Sequence, residues 1–192
     1  MKTTVIIPAY NEAAGIKETL TELADYIPAD WEILVIDDGS ADDTFAIVDS
    51  MEYSNIRCIR HKKNRGYGSA IKTGCKNAAG DIVVWYDADG QHRPEDLVTV
   101  VNKLETEHLD YCVGVRAKES HCDRNRKLGK AVLKRIVNLL AKEPVEDFNS
   151  GMRAFKKTVL LKYLSLLPPR FGASTVPCLR SAENPQRSRV IK

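Results

Sequence analysis

Three runs of continuous apolar residues constrain this chain most: Val5-Ile6-Ile7-Pro8, Ile33-Leu34-Val35-Ile36 and Ile82-Val83-Val84-Trp85. A strand that is apolar at successive positions buries both of its faces. Stretches of helical periodicity lie between the runs, as where Ile16, Leu20, Leu23, Ala24 and Ile27 recur along one face. Alternation of this kind is the signature of an α/β fold, in which crossover helices join parallel strands. Strands are expected at 4–8, 32–36, 55–60, 81–86 and 110–115, and helices over 12–26, 42–51, 68–79 and 94–107. The last helix has a clear start, because Pro94 loses no hydrogen bond at the first position and Glu95 and Asp96 suit the positive end of the helix dipole.

Composition narrows the class further. A chain of 192 residues with 43% apolar and 29% charged side chains has the length and core of one globular domain. No apolar run approaches the roughly 18 residues of a membrane-spanning helix, and the opening residues do not form a secretory leader. Five cysteines without C-x-x-C spacing argue against a disulfide framework or a zinc site and fit a reducing, cytoplasmic setting. Residues 1–169 hold 24 basic and 25 acidic side chains, whereas residues 170–192 hold 5 and 1, so the basic excess is in the tail. Nucleic acid is not an expected partner, because the body is near neutrality and its basic stretch, from Arg116 to Arg135, has no interleaved aromatics. That stretch suits phosphates, an anionic membrane surface, or a solvated helix face. A helix with a broad apolar face is expected over 127–141, another over 156–167, and disorder from Gly172 onward.

Polar residues just beyond strand ends mark the ligand edge of an open α/β sheet. Three such ends carry Ala9-Tyr10-Asn11-Glu12, Asp37-Asp38-Gly39-Ser40 and Asp87-Ala88-Asp89-Gly90-Gln91-His92. Two ionised carboxylates about 5 Å apart at an effective dielectric near 20 repel by roughly 3 kcal/mol, so a fold that fixes Asp87 and Asp89 together calls for a cation. Carboxylates with the amide oxygen of Gln91 form a hard donor set, which favours Mg or Mn over Zn. The plain alternative is an acidic turn capping the next helix. Asp37 and Asp38 read equally well as a turn before a helix or as acceptors for a ribose or base edge. Asn64-Arg65-Gly66-Tyr67-Gly68 is not a P-loop, no G-x-G-x-x-G follows the first strand, and neither G-x-S-x-G nor H-E-x-x-H occurs. The four histidines read as ordinary surface residues, except His92, which follows the acidic loop. Arg116, just past a strand, stands where a guanidinium can grip a diphosphate.

Five blocks in order, Val5 to Glu12, Val35 to Ser40 with Asp43-Thr44, Asn64 to Gly68, Gly80-Asp81 leading into Asp87 to Glu95, and Asn149-Ser150-Gly151-Met152-Arg153-Ala154-Phe155, resemble the family 2 glycosyltransferases, within them the dolichyl- and undecaprenyl-phosphate sugar transferases. The resemblance implies a GT-A fold, a mostly parallel Rossmann-like sheet flanked by helices, with the catalytic domain over 1–171 and a non-family tail over 172–192. It implies that Pro8, Ala9, Tyr10, Glu12 and Asp38 line the nucleotide, that Asp87 and Ala88 lie against the sugar nucleotide, and that Asp89 and Gln91 hold the metal. Arg116 is then expected on the diphosphate, with Asp147 and Arg153 near the acceptor or the transferred sugar.

The expected reaction moves a sugar, with inversion, from GDP-mannose or a UDP-sugar to a polyprenyl phosphate at the membrane surface. Transfer to a hydroxyl acceptor in a polysaccharide is the alternative, and that reaction needs a general base which no residue obviously supplies. A phosphate acceptor is already anionic and needs none. A protein that binds the nucleotide sugar without turnover is a third reading, because the text after Thr175 departs from the family as a shifted or shortened reading frame would. The expected location is the cytoplasm or the cytoplasmic face of the membrane, and the sequence leaves the oligomeric state open.

Overall fold

The protein is described from a computed structural model covering residues 1–88, 93–114, 152–164 and 188–191. Strands β1 (Thr3–Ala9), β2 (Glu32–Asp37), β3 (Ile56–Arg60), β4 (Ile82–Trp85), β5 (Tyr111–Gly114), β6 (Arg153–Lys156) and β7 (Ser188–Ile191) form one sheet in the order β3-β2-β1-β4-β6-β5-β7. The first four are mutually parallel. β6 runs antiparallel between β4 and β5. Helices α1 (Ile16–Tyr26), α2 (Thr44–Asp49), α3 (Tyr67–Asn77), α4 (Pro94–Thr106) and α5 (Lys157–Tyr163) complete the described elements.

The continuous apolar runs are explained by two cores, one on each face. Val5, Ile7, Ile33, Val35, Ile82 and Val84 point to α1 and α4, where Ile16, Leu20, Leu23, Leu97, Val100 and Leu104 meet them. The alternate residues Ile6, Leu34, Ile36, Val83 and Trp85 point the other way, to Ala70, Ile71 and Cys75 of α3 and Leu160 of α5. Most of these side chains are fully buried, and each fully buried aliphatic contributes about 1.5–3 kcal/mol. α3 lies so close to β1 that a Cβ on Gly74 would overlap the Ile6 side chain.

The expected elements recur with two informative differences. The first helix starts at Ile16 and not near Glu12, because the N–H groups of Asn11, Glu12 and Ala13 bond to side chains of the loop after β2. The second corrects the expected disorder at residues 188–191 alone; residues 172–187 and 192 lie outside the described residues. Ser188–Ile191 adds to the sheet as β7, parallel to β5. The edge of β5 offers a row of backbone donors and acceptors, and even a polar segment gains by pairing with it. The helix expected over 127–141 lies outside the described residues.

Candidate active site

All four parallel strands end at the same edge, and the three polar loops meet there. Register places Ala9 beside Asp37, and the Asp38 N–H donates to Ala9 O at 2.8 Å. Side chains then fasten the first loop to the second. Asn11 N–H donates to Ser40 Oγ and Ala41 N–H to Asn11 Oδ1, both at 2.9 Å. Glu12 N–H donates to Thr44 Oγ1 at 2.9 Å and Ala13 N–H to Asp42 Oδ2 at 3.1 Å. The Thr44 hydroxyl, with the N–H groups of Ala13 and Thr44 behind it, holds the Asp42 carboxyl below its ordinary range. Asn11 takes φ 58°, a left-handed conformation that asparagine tolerates better than most residues.

Asp37, which closes β2, and Asp38, which follows it, do different work, and both are buried. Asp37 Oδ1 accepts from the Ser40 N–H at 2.9 Å, and Arg60 Nε stands 3.0 Å from Asp37 Oδ2. Arg60 also donates to Ser40 O at 3.0 Å and lies over the Phe45 ring, 5.0 Å from its centroid. Asp38 accepts from the N–H groups of Arg65 at 3.0 Å and Gly66 at 2.7 Å, and His61 Nδ1 lies 2.6 Å from its Oδ1. Three donors on one carboxylate make Asp38 the anchor of the glycine-rich loop. The left-handed φ of 90° at Gly66 then turns the chain into α3.

His61 corrects the reading of the histidines as surface residues: it is 7% exposed, enclosed between Asp38 and the Thr73 hydroxyl 2.9 Å from Nε2. His108 is exposed, as expected; His92 and His121 lie outside the described residues.

β4 brings the third loop. Asp87 is half-buried and its Oδ1 accepts from the Tyr67 hydroxyl at 3.3 Å. Ala88 is buried, with its carbonyl accepting from Thr19 Oγ1 at 3.3 Å. Arg153 is 1% exposed and lies opposite Trp85. Because β6 is antiparallel to β4, its first residue stands at the same edge as the end of β4. The structure thus gathers Pro8, Ala9, Tyr10, Glu12, Asp38, Asp87, Ala88 and Arg153 at one end of the sheet. Pro8 and Glu12 are half-buried there, and Tyr10 is exposed.

Asp89, Gln91, Arg116 and Asp147 lie outside the described residues. Among the described residues no group of three or more His, Cys, Asp or Glu side chains is placed to hold a metal. Asp87 sets carboxylate oxygens at this edge, a donor type that suits a hard divalent ion. Sequence reasoning missed Arg60, took His61 for a surface residue, and placed Arg65 and Tyr67 in a family block without giving either a role. Their signal was weak, because the acid that each one meets, Asp37, Asp38 or Asp87, is 20 or more residues away.

A mostly parallel sheet whose loops bring acids together at its carboxyl edge has the ligand edge of an open α/β fold. The glycosyl transferase family 2 model matches residues 4–164, and the chain belongs to that family. It is 35% identical over 177 residues to the UDP-N-acetylglucosamine–dolichyl-phosphate N-acetylglucosaminyltransferase of Methanococcus voltae, a match covering 81% of this chain and 70% of that protein. It is 36% identical over 158 residues to the uncharacterized protein MJ1222 of Methanocaldococcus jannaschii, covering 79% of this chain and 63% of that one. Solved structures agree on a GT-A architecture. Glucosyl-3-phosphoglycerate synthase of Mycobacterium tuberculosis, in complex with Mn2+, UDP-glucose and phosphoglyceric acid, aligns with TM-score 0.79 and 21% identity over 99% of this chain and 69% of that one. TarS of S. aureus aligns with TM-score 0.72 and 22% identity, covering 100% and 58%. Among the described residues no helix is long and apolar enough to cross a membrane.

Proposed function

We propose that the protein transfers a sugar from a UDP-sugar to a polyprenyl phosphate, inverting the anomeric carbon. The observation that carries this reading is the likeness to the Methanococcus voltae enzyme, which spans most of the chain. The three-loop edge agrees with it. In this reading Pro8, Ala9, Tyr10, Glu12 and Asp38 serve the base and ribose, and Asp87 and Ala88 the sugar diphosphate. A divalent ion held by Asp89 and Gln91, with Asp87 beside it, would supply charge neutralisation for the departing diphosphate.

The remaining work falls to the chain's own groups. The acceptor phosphate carries its charge at neutral pH, so no residue need remove a proton. The requirement is cationic: Arg116 on the diphosphate, and the basic stretch that follows it toward the lipid phosphate and its membrane. Asp147 and Arg153 are assigned to the acceptor side, where Arg153 already opens β6 at the site edge.

Incubation with radiolabelled UDP-N-acetylglucosamine, UDP-glucose or GDP-mannose, dolichyl phosphate and Mg or Mn tests this reading. A lipid-extractable sugar from a UDP donor is the expected product. Transfer to a soluble glycan with none to lipid phosphate overturns the acceptor assignment. Tight nucleotide binding with no product under any condition overturns the assignment of turnover.

A further inference from the structure

Asp38 hangs an exposed loop from a buried point. Lys62, Lys63, Asn64 and Arg65 are all exposed, yet the loop's backbone is held by the N–H groups of Arg65 and Gly66 on the Asp38 carboxylate. His61 opens this loop and is tied into the sheet through its own N–H, which donates to Asp37 O at 2.8 Å. An ionised carboxylate only accepts, so at 2.6 Å from Asp38 the His61 Nδ1 carries the proton. Nε2 faces the Thr73 hydroxyl on the second turn of α3 at 2.9 Å. That hydroxyl donates to a neutral ring and accepts from a charged one, so the brace holds in either protonation state.

The loop ends in Tyr67, the first residue of α3, whose hydroxyl donates to Asp87. A continuous path therefore runs from Thr73 through His61, Asp38 and the 65–66 backbone to Tyr67 and Asp87. The buried imidazole is the group that joins Thr73 to Asp38 on that path. Removing the ring leaves the Asp38 carboxylate buried with one donor fewer, which such sites tolerate poorly.

We propose that His61 is a positioning residue of the donor site: by donating to Asp38 while braced by Thr73, it fixes the loop of residues 62–66 and, through Tyr67, the place of Asp87. The assignment rests on the reading of this edge as a nucleotide-sugar site.

The test uses the full chain with His61→Leu, which removes both ring nitrogens, His61→Asn, whose amide can replace the Nδ1 donor, and Thr73→Val, which removes the brace alone. Amide hydrogen exchange at Arg65 and Gly66 is measured in the free protein, UDP affinity by calorimetry, and KM and kcat with the donor that the wild type turns over. His61→Leu is expected to speed exchange at Arg65 and Gly66, and to weaken UDP binding, each by about tenfold or more. Donor KM should rise with it while acceptor KM holds. His61→Asn should stay within about threefold of wild type in each, and Thr73→Val should fall between.

Unchanged exchange at Arg65 and Gly66 in a folded His61→Leu protein overturns the latch. Faster exchange with unchanged UDP affinity overturns its role in the donor site. If His61→Leu does not fold, His61→Asn decides: wild-type exchange and affinity support the proposal, and failure of either overturns it. A wild type that binds no nucleoside diphosphate sinks the nucleotide-sugar reading and with it the donor role, whereas the exchange measurement still judges the latch by itself.

Discussion

At the carboxyl edge of the sheet Asp38 gathers donors from a loop that then faces solvent; at the opposite edge Glu32 gathers donors from β1, from β3 and from the residues after α3. Glu32 Oε2 accepts from the Thr4 hydroxyl at 2.7 Å and the Ala79 N–H at 2.8 Å, and Arg57 pairs with Oε1 at 2.7 Å. Thr4 Oγ1 in turn accepts from the Gly80 N–H at 2.8 Å. Arg57 closes the knot by donating to Asn77 O. A cleft of about 330 Å³ opens at this foot, lined by residues such as Lys2, Trp31, Asn55 and Arg57, away from the described residues that are assigned to the chemistry. Both ends use one device, a carboxylate that collects N–H and O–H groups. At the foot it ties the end of α3 to β1 and β2 within the scaffold; at the head it leaves Tyr10, Arg65 and Asp87 on or near the surface. Concavity and buried acids alone therefore do not locate the site, whereas strand direction does.

The largest effect that separates the two ends is on turnover. Asp87→Ala removes a carboxylate from the head, and a loss in kcat on the order of 10²–10³-fold is expected, with the melting temperature nearly unchanged because the residue is half-buried. Steady-state kinetics beside a thermal melt measures both. Wild-type kcat in Asp87→Ala would remove the head's claim to chemistry.

The foot should answer in the opposite currency of stability without catalysis. Glu32→Leu strands the Ala79 N–H, the Thr4 hydroxyl and the Arg57 guanidinium, and a loss of about 2–4 kcal/mol is expected by urea denaturation, with donor KM unchanged. Acid supplies a second check. Burial opposes the Glu32 charge, but the Ala79 N–H, the Thr4 hydroxyl and Arg57 outweigh it and leave its pKa below the ordinary glutamate value of 4.5. A group depressed on folding stabilises above its unfolded pKa and loses that contribution as the pH falls through its folded one. The wild type should therefore lose stability below about pH 4.5, and Glu32→Gln should flatten that acid limb. An unaltered acid limb would mean that Glu32 is not the group responsible.

Two glycines sharpen the contrast at smaller scale. A Cβ on Gly39, already at φ 74°, would stand 2.5 Å from Lys63 C, and one on Gly80 would stand 2.7 Å from Thr4 N. Alanine at either position should cost about 1–3 kcal/mol. Gly39→Ala also pushes on the loop that Asp38 anchors, so only it should weaken UDP binding in calorimetry. Equal loss of affinity in Gly80→Ala would show that the two ends are coupled through the sheet.

Local pattern was enough to read the architecture. Runs such as Ile33 to Ile36 divide residue by residue between the two cores, and that can happen only in a strand covered on both faces. The polar loops after β1, β2 and β4 were legible for the same reason, since each follows such a run directly. Less legible was the division of labour between Asp37 and Asp38. It depends on Arg60, His61 and the 65–66 backbone, which reach them across β3, and nothing in the local text distinguishes an acid that binds its own loop from one that waits for a ligand. His61 was misread because a lone histidine between a strand and a lysine pair carries no burial signal. The β7 strand was misread because an exposed partner edge, and not apolar periodicity, places it.

Left-handed residues offer the finest comparison. Asn11 at φ 58° stands in the head, and His108 at φ 52° follows the end of α4, away from the site. Asn11 has reason to be what it is: its side-chain oxygen takes the Ala41 N–H, and its backbone serves Ser40. Replacing it by alanine forfeits that bond and puts an ill-suited residue in the left-handed region, a cost of about 1–2 kcal/mol. Glycine forfeits only the bond, because water can reach the exposed Ala41, so Asn11→Gly should cost less than Asn11→Ala. Among the described residues His108 is held through its backbone, its N–H donating to Glu105 O at 3.1 Å and its carbonyl accepting from Lys156 Nζ at 3.3 Å, and glycine there should gain about 0.4–1 kcal/mol. Chemical denaturation of the three variants resolves the order. If Asn11→Gly gained stability as His108→Gly does, the Asn11 side chain would contribute nothing to fastening the first loop to the second.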